Sequence, residues 1–295
     1  MNRTLAILAL LAAACGGGRD EPSEPPITIF AASSLARPLQ QLTAAFQRET
    51  DVPALVEIGG SIEQSRKLTD LARIPDVLML VDDEVIAALS PAHLEWYVRF
   101  ATNRIVVAYG DSSAHADSIS IENWYRILSR DDVNVGRADA TLAPAGRHAM
   151  ALLQRAEGVY GLPYLSERVL ERSPLRNVRP NAAELAVLLQ LGEVDYILEY
   201  ESVARQYGFR FLSLPTELAL PVLYGVSVPR QAAHAEAAVR FVASLLSADG
   251  KEILREAHVN VLRVPVAIGT NVPPEITEVV RTLAAARSAA VAASP

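Results

Sequence analysis

Serine residues follow two apolar runs in a pattern suited to holding a negative ion. The run Ile27–Ala31 leads through Ala32-Ser33-Ser34-Leu35 into a helical pattern, and the run Ala54–Ile58 ends in Gly59-Gly60-Ser61 ahead of Ile62-Glu63-Gln64-Ser65-Arg66. A helix N-terminus carries N–H groups without intrahelical partners and a partial positive charge, so two such ends turned to one point make a socket for an oxyanion. Neither Ala31–Leu35 nor Gly59–Ser65 contains Lys or Arg, which makes the socket one of dipoles and hydroxyls. Ser is also a common helix cap, and the sequence leaves Ser33, Ser34 and Ser61 open between the two roles. Further along, Pro144-Ala145-Gly146 opens another helix and Asn181 stands where it caps a fourth. Arg147, in the first turn after Gly146, faces either solvent or the site. Asp82 and Asp83 also follow a strand and read as ordinary partners of a helix dipole.

Other chemistry is not signalled. The sequence has no Gly-x-Ser-x-Gly elbow, no His-Glu-x-x-His, no phosphate loop ending in Gly-Lys-Ser/Thr and no Gly-x-Gly-x-x-Gly fingerprint. His93, His115, His148, His234 and His258 lack metal-ligand spacing, and Trp96, Tyr97, Phe100, Trp124 and Tyr125 read as core packing at a lobe junction rather than a stacking platform.

The elements that must position these residues alternate. Strand Ile27–Ala31, helix Leu35–Glu49, strand Ala54–Ile58, helix Ile62–Leu71, strand Asp76–Val81 and helix Asp83–Leu89 follow one another, and the rhythm resumes with Val133–Arg137, Arg147–Gly158, Ala182–Leu191 and Tyr196–Leu198. Such alternation predicts an α/β fold with mainly parallel sheets flanked by helices and a ligand site beyond the strands' carboxyl ends. Strands Arg104–Tyr109 and Pro221–Val228 read as two crossings, giving two lobes with a cleft between them: lobe I from 27–108 and 222–295, lobe II from 109–221.

The 295 residues, 51% hydrophobic and 21% charged, are enough to bury cores for two lobes. A net charge of −7 without any Lys/Arg block argues against nucleic acid as a partner. Residues 1–15 read as an export signal: Met1-Asn2-Arg3 precedes the apolar Leu5–Ala14, which is too short to span a bilayer. Cys15, the single cysteine, closes that stretch and excludes an intrachain disulfide. Residues 16–26, rich in Gly, Pro, Glu and Ser, read as a flexible tether.

Phe30-Ala31-Ala32-Ser33-Ser34-Leu35, Gly60-Ser61, Trp96-Tyr97-Val98-Arg99-Phe100-Ala101-Thr102-Asn103, Glu122-Asn123-Trp124-Tyr125, Pro144-Ala145-Gly146-Arg147 and Asp195-Tyr196-Ile197-Leu198-Glu199-Tyr200, in that order, resemble the periplasmic molybdate/tungstate-binding proteins of ABC importers. The likeness implies the two-lobed periplasmic-binding-protein fold and one tetrahedral oxyanion, molybdate or tungstate, as ligand, with no cofactor and no enzymatic activity. By matched position it implies hydroxyls and amides from Ser34 and Ser61 and backbone N–H groups from Ala145 and Asn181. Glu199 falls where the tungstate branch has a carboxylate ligand to the metal; the usual second carboxylate is replaced by Ala143, although Asp139 matches an earlier acidic position, and Pro144-Ala145-Gly146-Arg147 looks more like the molybdate branch. Glu199 must therefore ligate the metal, bind protonated, or turn away, because a bare carboxylate beside a dianion is repelled. The implied partner is an ABC permease. Leu11-Ala12-Ala13-Ala14-Cys15 resembles a lipoprotein cleavage box, with Ala12 where Leu is preferred, and implies a monomeric receptor exported to the periplasm or cell surface and lipid-anchored through Cys15. The alternatives are a receptor for sulfate or another small oxyanion and, from another class, a hydrolase or transferase on the same fold. The effector domain of a transcription regulator needs a DNA-binding domain where the signal and tether stand.

Overall fold

A computed structural model describes residues 24–292, with side chains described through residue 288; Cys15 and the signal and tether residues up to 23 lie outside the described residues. The chain begins with β1 (Ile27–Ala32), a 3-10 turn (Ser33–Leu35), α1 (Ala36–Thr50), β2 (Ala54–Gly59), α2 (Ser61–Thr69), β3 (Val77–Val81), α3 (Asp83–Ala87) and β4 (Trp96–Asn103). Past Arg104 come β5 (Ile105–Tyr109), α4 (Trp124–Ile127), β6 (Val135–Ala138), α5 (Pro144–Tyr160), α6 (Leu165–Glu171), β7 (Val178–Arg179), α7 (Ala182–Gln190), β8 (Tyr196–Tyr200), α8 (Glu201–Gln206) and β9 (Arg210–Leu212). The chain then continues through β10 (Val222–Ser227), α9 (Ala235–Leu246), α10 (Ala248–Glu256), β11 (Asn260–Gly269) and α11 (Pro274–Ala292).

These elements form two helix-flanked sheets. The first has the order β11-β4-β10-β3-β1-β2 and the second β7-β6-β8-β5-β9. In each, one side is parallel (β2, β1 and β3; β7, β6 and β8) and the other antiparallel. Strand alternation splits β1 between two cores: Ile27, Ile29 and Ala31 pack with Leu39, Leu42 and Phe46 of α1, whereas Phe30 joins Leu68, Leu78 and Leu80. The i, i+3, i+7 spacing of Leu39, Leu42 and Phe46 is the inward stripe that makes α1 a surface helix.

The two-lobed α/β architecture is that expected; the antiparallel halves are what the α/β rhythm does not reveal. Three of their strands, β4, β9 and β11, are not among those the sequence predicts. In β4 an aromatic run is buried on both faces apart from Arg99, and β11 contains Pro265 in a stretch where its register against β4 slips between Val261 and Val266, as suits a proline on an edge strand. The crossings also differ. β5 pairs wholly within the second sheet and β10 wholly within the first, so neither is a crossing strand. The chain changes sheets at Asn103–Arg104, ahead of the expected 108/109 boundary, and returns before Val222. Trp96, Tyr97 and Phe100 pack in the first lobe, and Trp124 and Tyr125 pack with Tyr160 in the second.

Candidate functional site

Four strand ends deliver helix starts to one small cavity between the lobes. The first lobe contributes Ala32, Ser33, Ser34, Gly59, Gly60, Ser61 and Val81, and the second Ala143, Pro144, Ala145, Ala182 and Tyr200, around a space of about 10 Å³, room for roughly one water-sized sphere. No lining side chain is charged. The starts of α2, α5 and α7 lie here, and Pro144 at the first position of α5 is preset for a helix and lacks an N–H that would need a partner.

None of the three lining serines caps its own helix. Ser33 and Ser34 lie in the 3-10 turn, where no side-chain cap is made, and Ser61 is the first residue of α2, with Gly60 at the cap position. Ser33 Oγ accepts the N–H of Ala182 across the cleft at 3.0 Å, Ser61 Oγ accepts the N–H of Val81 at 3.0 Å, and Ser34 Oγ accepts the Tyr224 hydroxyl at 3.1 Å. Each serine oxygen thus has a donor supplied from elsewhere in the fold. Its own proton remains for an acceptor, and an oxyanion is made of acceptors.

The lobes hold one another at the rim. The carbonyl of Leu142 accepts the first-turn N–H groups of Ile62 and Glu63 at 3.1 and 3.2 Å, so these two donors of α2 close the cleft. Gly60 permits that approach, since a Cβ there would lie 2.2 Å from the Leu142 oxygen. Arg147 stays out of the cavity: partly exposed, its Nη2 is 2.9 Å from Asp82 Oδ2 of the first lobe, and His148 Nε2 is 3.5 Å from the same atom. Burial pushes the Asp82 carboxyl up, but hydrogen bonds from His148 and from the Glu84 N–H, with the His148 and Arg147 charges, outweigh it and hold the group below the usual carboxylate range. Asp82 takes φ 80° and caps α3 through Glu84 N, so it does more than balance a helix dipole.

Of the residues expected at the site, Ser34, Ser61 and Ala145 line the cavity. Asn181 does not; its side chain accepts the Glu184 N–H at 3.0 Å as the cap of α7, and the neighbouring Ala182 takes the lining position. Glu199 does not line it either, because alternate residues of a strand face opposite ways and Tyr200 is the residue of β8 that does. Glu199 is wholly buried; Oε1 accepts the Tyr200 N–H at 2.8 Å and Oε2 has no partner. Burial pushes its carboxyl up to about 7, against the opposing pull of the Tyr200 N–H. Asp139 binds the N–H and hydroxyl of Thr141 at 2.8 and 2.7 Å and is absent from the cavity wall. Tyr200, whose hydroxyl is 3.2 Å from His148 Nδ1, was missed, though the period of two along Tyr196–Tyr200 already separates it from Glu199.

A family model described as a bacterial extracellular solute-binding protein matches residues 27–259. The chain is 31% identical to the molybdate/tungstate-binding protein WtpA of Pyrococcus abyssi, over 92% of this chain and 95% of that one. Among solved structures, the periplasmic molybdate-binding protein of Azotobacter vinelandii superposes with a TM-score of 0.63 at 14% identity, covering 79% of this chain and 98% of that one. The sulfate-binding protein SubI of Mycobacterium tuberculosis gives 0.65 at 15% identity, covering 89% and 91%. At those identities the two structures bear on the fold alone.

Proposed function

The chain belongs to the bacterial extracellular solute-binding proteins, and from that premise we propose that it captures molybdate or tungstate and passes it to the permease of an ABC importer. As a member of that family it is an exported carrier, not an enzyme. The observation that carries the ligand class is the uncharged cavity lined by three serines, each with its oxygen already accepting a hydrogen bond, and by helix starts from both lobes. Fixed N–H groups and hydroxyls stabilise a dianion through charge-assisted hydrogen bonds without a counter-ion. The relative named for molybdate and tungstate supports those two over sulfate.

The contacts we propose are the hydroxyls of Ser34 and Ser61, joined by Ser33, and the backbone N–H group of Ala145; Asn181, expected to give a second N–H, instead serves by capping α7 and so placing Ala182 in the wall. Glu199 contributes from behind Tyr200: with its carboxyl raised to about 7, it keeps its proton below that pH and there adds no charge to a wall that must accept a dianion, which removes the need for a second carboxylate at Ala143. We further propose that Cys15 carries a lipid anchor, on the strength of the apolar stretch that it closes, and that the mature protein is a monomer.

Thermal unfolding of protein lacking residues 1–15 tests the ligand. A ligand bound by the folded state alone stabilises it by about 4 kcal/mol at a thousand times its Kd, so molybdate and tungstate should raise the midpoint well beyond sulfate or hydrogenphosphate. Equal shifts for all four anions, or none for any, refute the reading. Mass spectrometry of wild-type protein from membranes tests the anchor, which an unmodified Cys15 on processed protein would exclude.

A further inference from the structure

The Ser34 hydroxyl ends a hydrogen-bond chain that starts where the polypeptide passes between the sheets. Asn103 is the last residue of β4. Its Oδ1 faces the backbone N–H groups of Arg104 and Ser202, at 3.0 and 3.4 Å. A backbone N–H donates and cannot accept, so these contacts fix the amide orientation and leave Nδ2 on the other side. The two Nδ2 protons go to Tyr224 Oη at 2.7 Å and Ser202 Oγ at 2.8 Å. Tyr224, fully buried in β10, thus meets a donor from Asn103 and directs its single proton to Ser34 Oγ at 3.1 Å.

We propose that Asn103 and Tyr224 are positioning residues that set the polarity of the Ser34 hydroxyl, so that this wall of the cleft offers a proton and favours oxyanions that carry none. The inference rests on the oxyanion reading above. Left alone, a serine hydroxyl rotates between donating and accepting. With Tyr224 donating to its oxygen, Ser34 has no call to send its own proton outward, and that proton is directed into the cavity. Molybdate has only acceptor oxygens and is matched. Hydrogenarsenate, also tetrahedral, must place a proton of its own and meets opposing protons here. Tyr224 does not line the cavity, so its influence on the anion runs through Ser34. Asn103 is held partly by Ser202 of the second lobe, which makes the polarity of Ser34 depend on the geometry of the crossing.

The test is titration calorimetry with molybdate, sulfate and arsenate on the wild type, Tyr224→Phe, Ser34→Ala and the double variant, with a urea midpoint for each. Tyr224→Phe should weaken molybdate about tenfold, the scale of one hydrogen bond, leave the molybdate-to-sulfate ratio in place because both anions lack protons, and hold or raise arsenate affinity. In the Ser34→Ala background the same change should do nothing further to molybdate, the signature of two residues acting as one. If Tyr224→Phe does not fold, Asn103→Ala, which frees the tyrosine hydroxyl to rotate, should lower the molybdate-to-arsenate ratio several-fold. An unmoved ratio, or an equal loss with and without Ser34, overturns the inference while leaving the oxyanion reading intact. Wild-type protein that binds none of the three anions refutes that reading and this inference with it.

Discussion

Replacing Glu199 with Gln separates the charge of this buried carboxyl from its shape. Glu199 is 0% exposed, with one oxygen on the Tyr200 N–H and the other without a partner, and its carboxyl is raised from 4.5 to about 7. Between those two values the folded protein keeps a proton that the unfolded chain releases, so stability falls as pH rises through the window. Below the unfolded value the stability is fully present; above about 7 it is fully lost. The loss is the difference of about 2.5 between about 7 and 4.5 multiplied by 1.36 kcal/mol, or about 3 kcal/mol. Gln does not titrate. Urea unfolding of both proteins without ligand should therefore show the variant gaining on the wild type by about 3 kcal/mol between about pH 5 and pH 8, on top of a constant offset from the changed hydrogen bonding. Calorimetry should show wild-type tungstate affinity weakening as pH rises through the same window, while the variant's holds. Parallel stability curves for the two proteins would refute the raised carboxyl and the protonated role argued from it.

Ser61→Ala should weaken tungstate binding by about 1.5–3 kcal/mol and, by leaving the Val81 N–H without its acceptor, lower ligand-free stability by about 1–3 kcal/mol; calorimetry and urea midpoints read the two separately, and a loss of stability alone would remove Ser61 from the binding site. Gly60→Ala places a Cβ at 2.2 Å from the Leu142 oxygen, so it should hold the lobes apart, weaken molybdate at least tenfold and enlarge the radius of gyration in small-angle scattering with saturating ligand. Unchanged scattering would refute that steric argument. Asp82→Asn keeps a good cap for α3 but removes the charge opposite Arg147 and His148, and should lower affinity several-fold at low salt. Because Arg147 is partly exposed, with 42% of its side chain accessible, the loss should shrink in high salt; a loss that salt leaves untouched would mean that Asp82 acts otherwise than by charge.

The parts of the fold legible in the sequence are those written locally. Strand Ile27–Ala32 running into Ser33-Ser34, and Gly59-Gly60-Ser61 opening α2, could be read because an apolar run and a helix start are contiguous. What the serines do could not be, since their donors Val81, Ala182 and Tyr224 are 20, 149 and 190 residues away along the chain. The Leu142 carbonyl that closes the cleft is backbone, and no side-chain pattern announces it. The antiparallel strands eluded the reading for different reasons: β4 shows its burial as an aromatic cluster, and β11 carries a proline that normally argues against a strand. Glu199 illustrates a signal present but unused, since matching its position to a ligand ignored that Tyr200, not Glu199, shares the cavity-facing side of β8.

The place of β10 between β3 and β4 governs the order in which the molecule can be assembled. Residues up to Asn103 supply four of the six strands of the first sheet and none of the second: they hold β3 and β4 with no strand between them, two open edges that stay unpaired until residues 222–227 have been made. Closing that gap requires a loop spanning the entire second lobe, which makes it a late and slow event. A chain destined for export is served by this delay, since translocation needs an unfolded substrate. It also means that the Ser34 wall, which leans on Tyr224 of β10, comes into being only after the opposite wall has been synthesised. Neither half can be produced alone as a working hemisphere, and a fragment ending at Asn103 would present its two open edges to other chains.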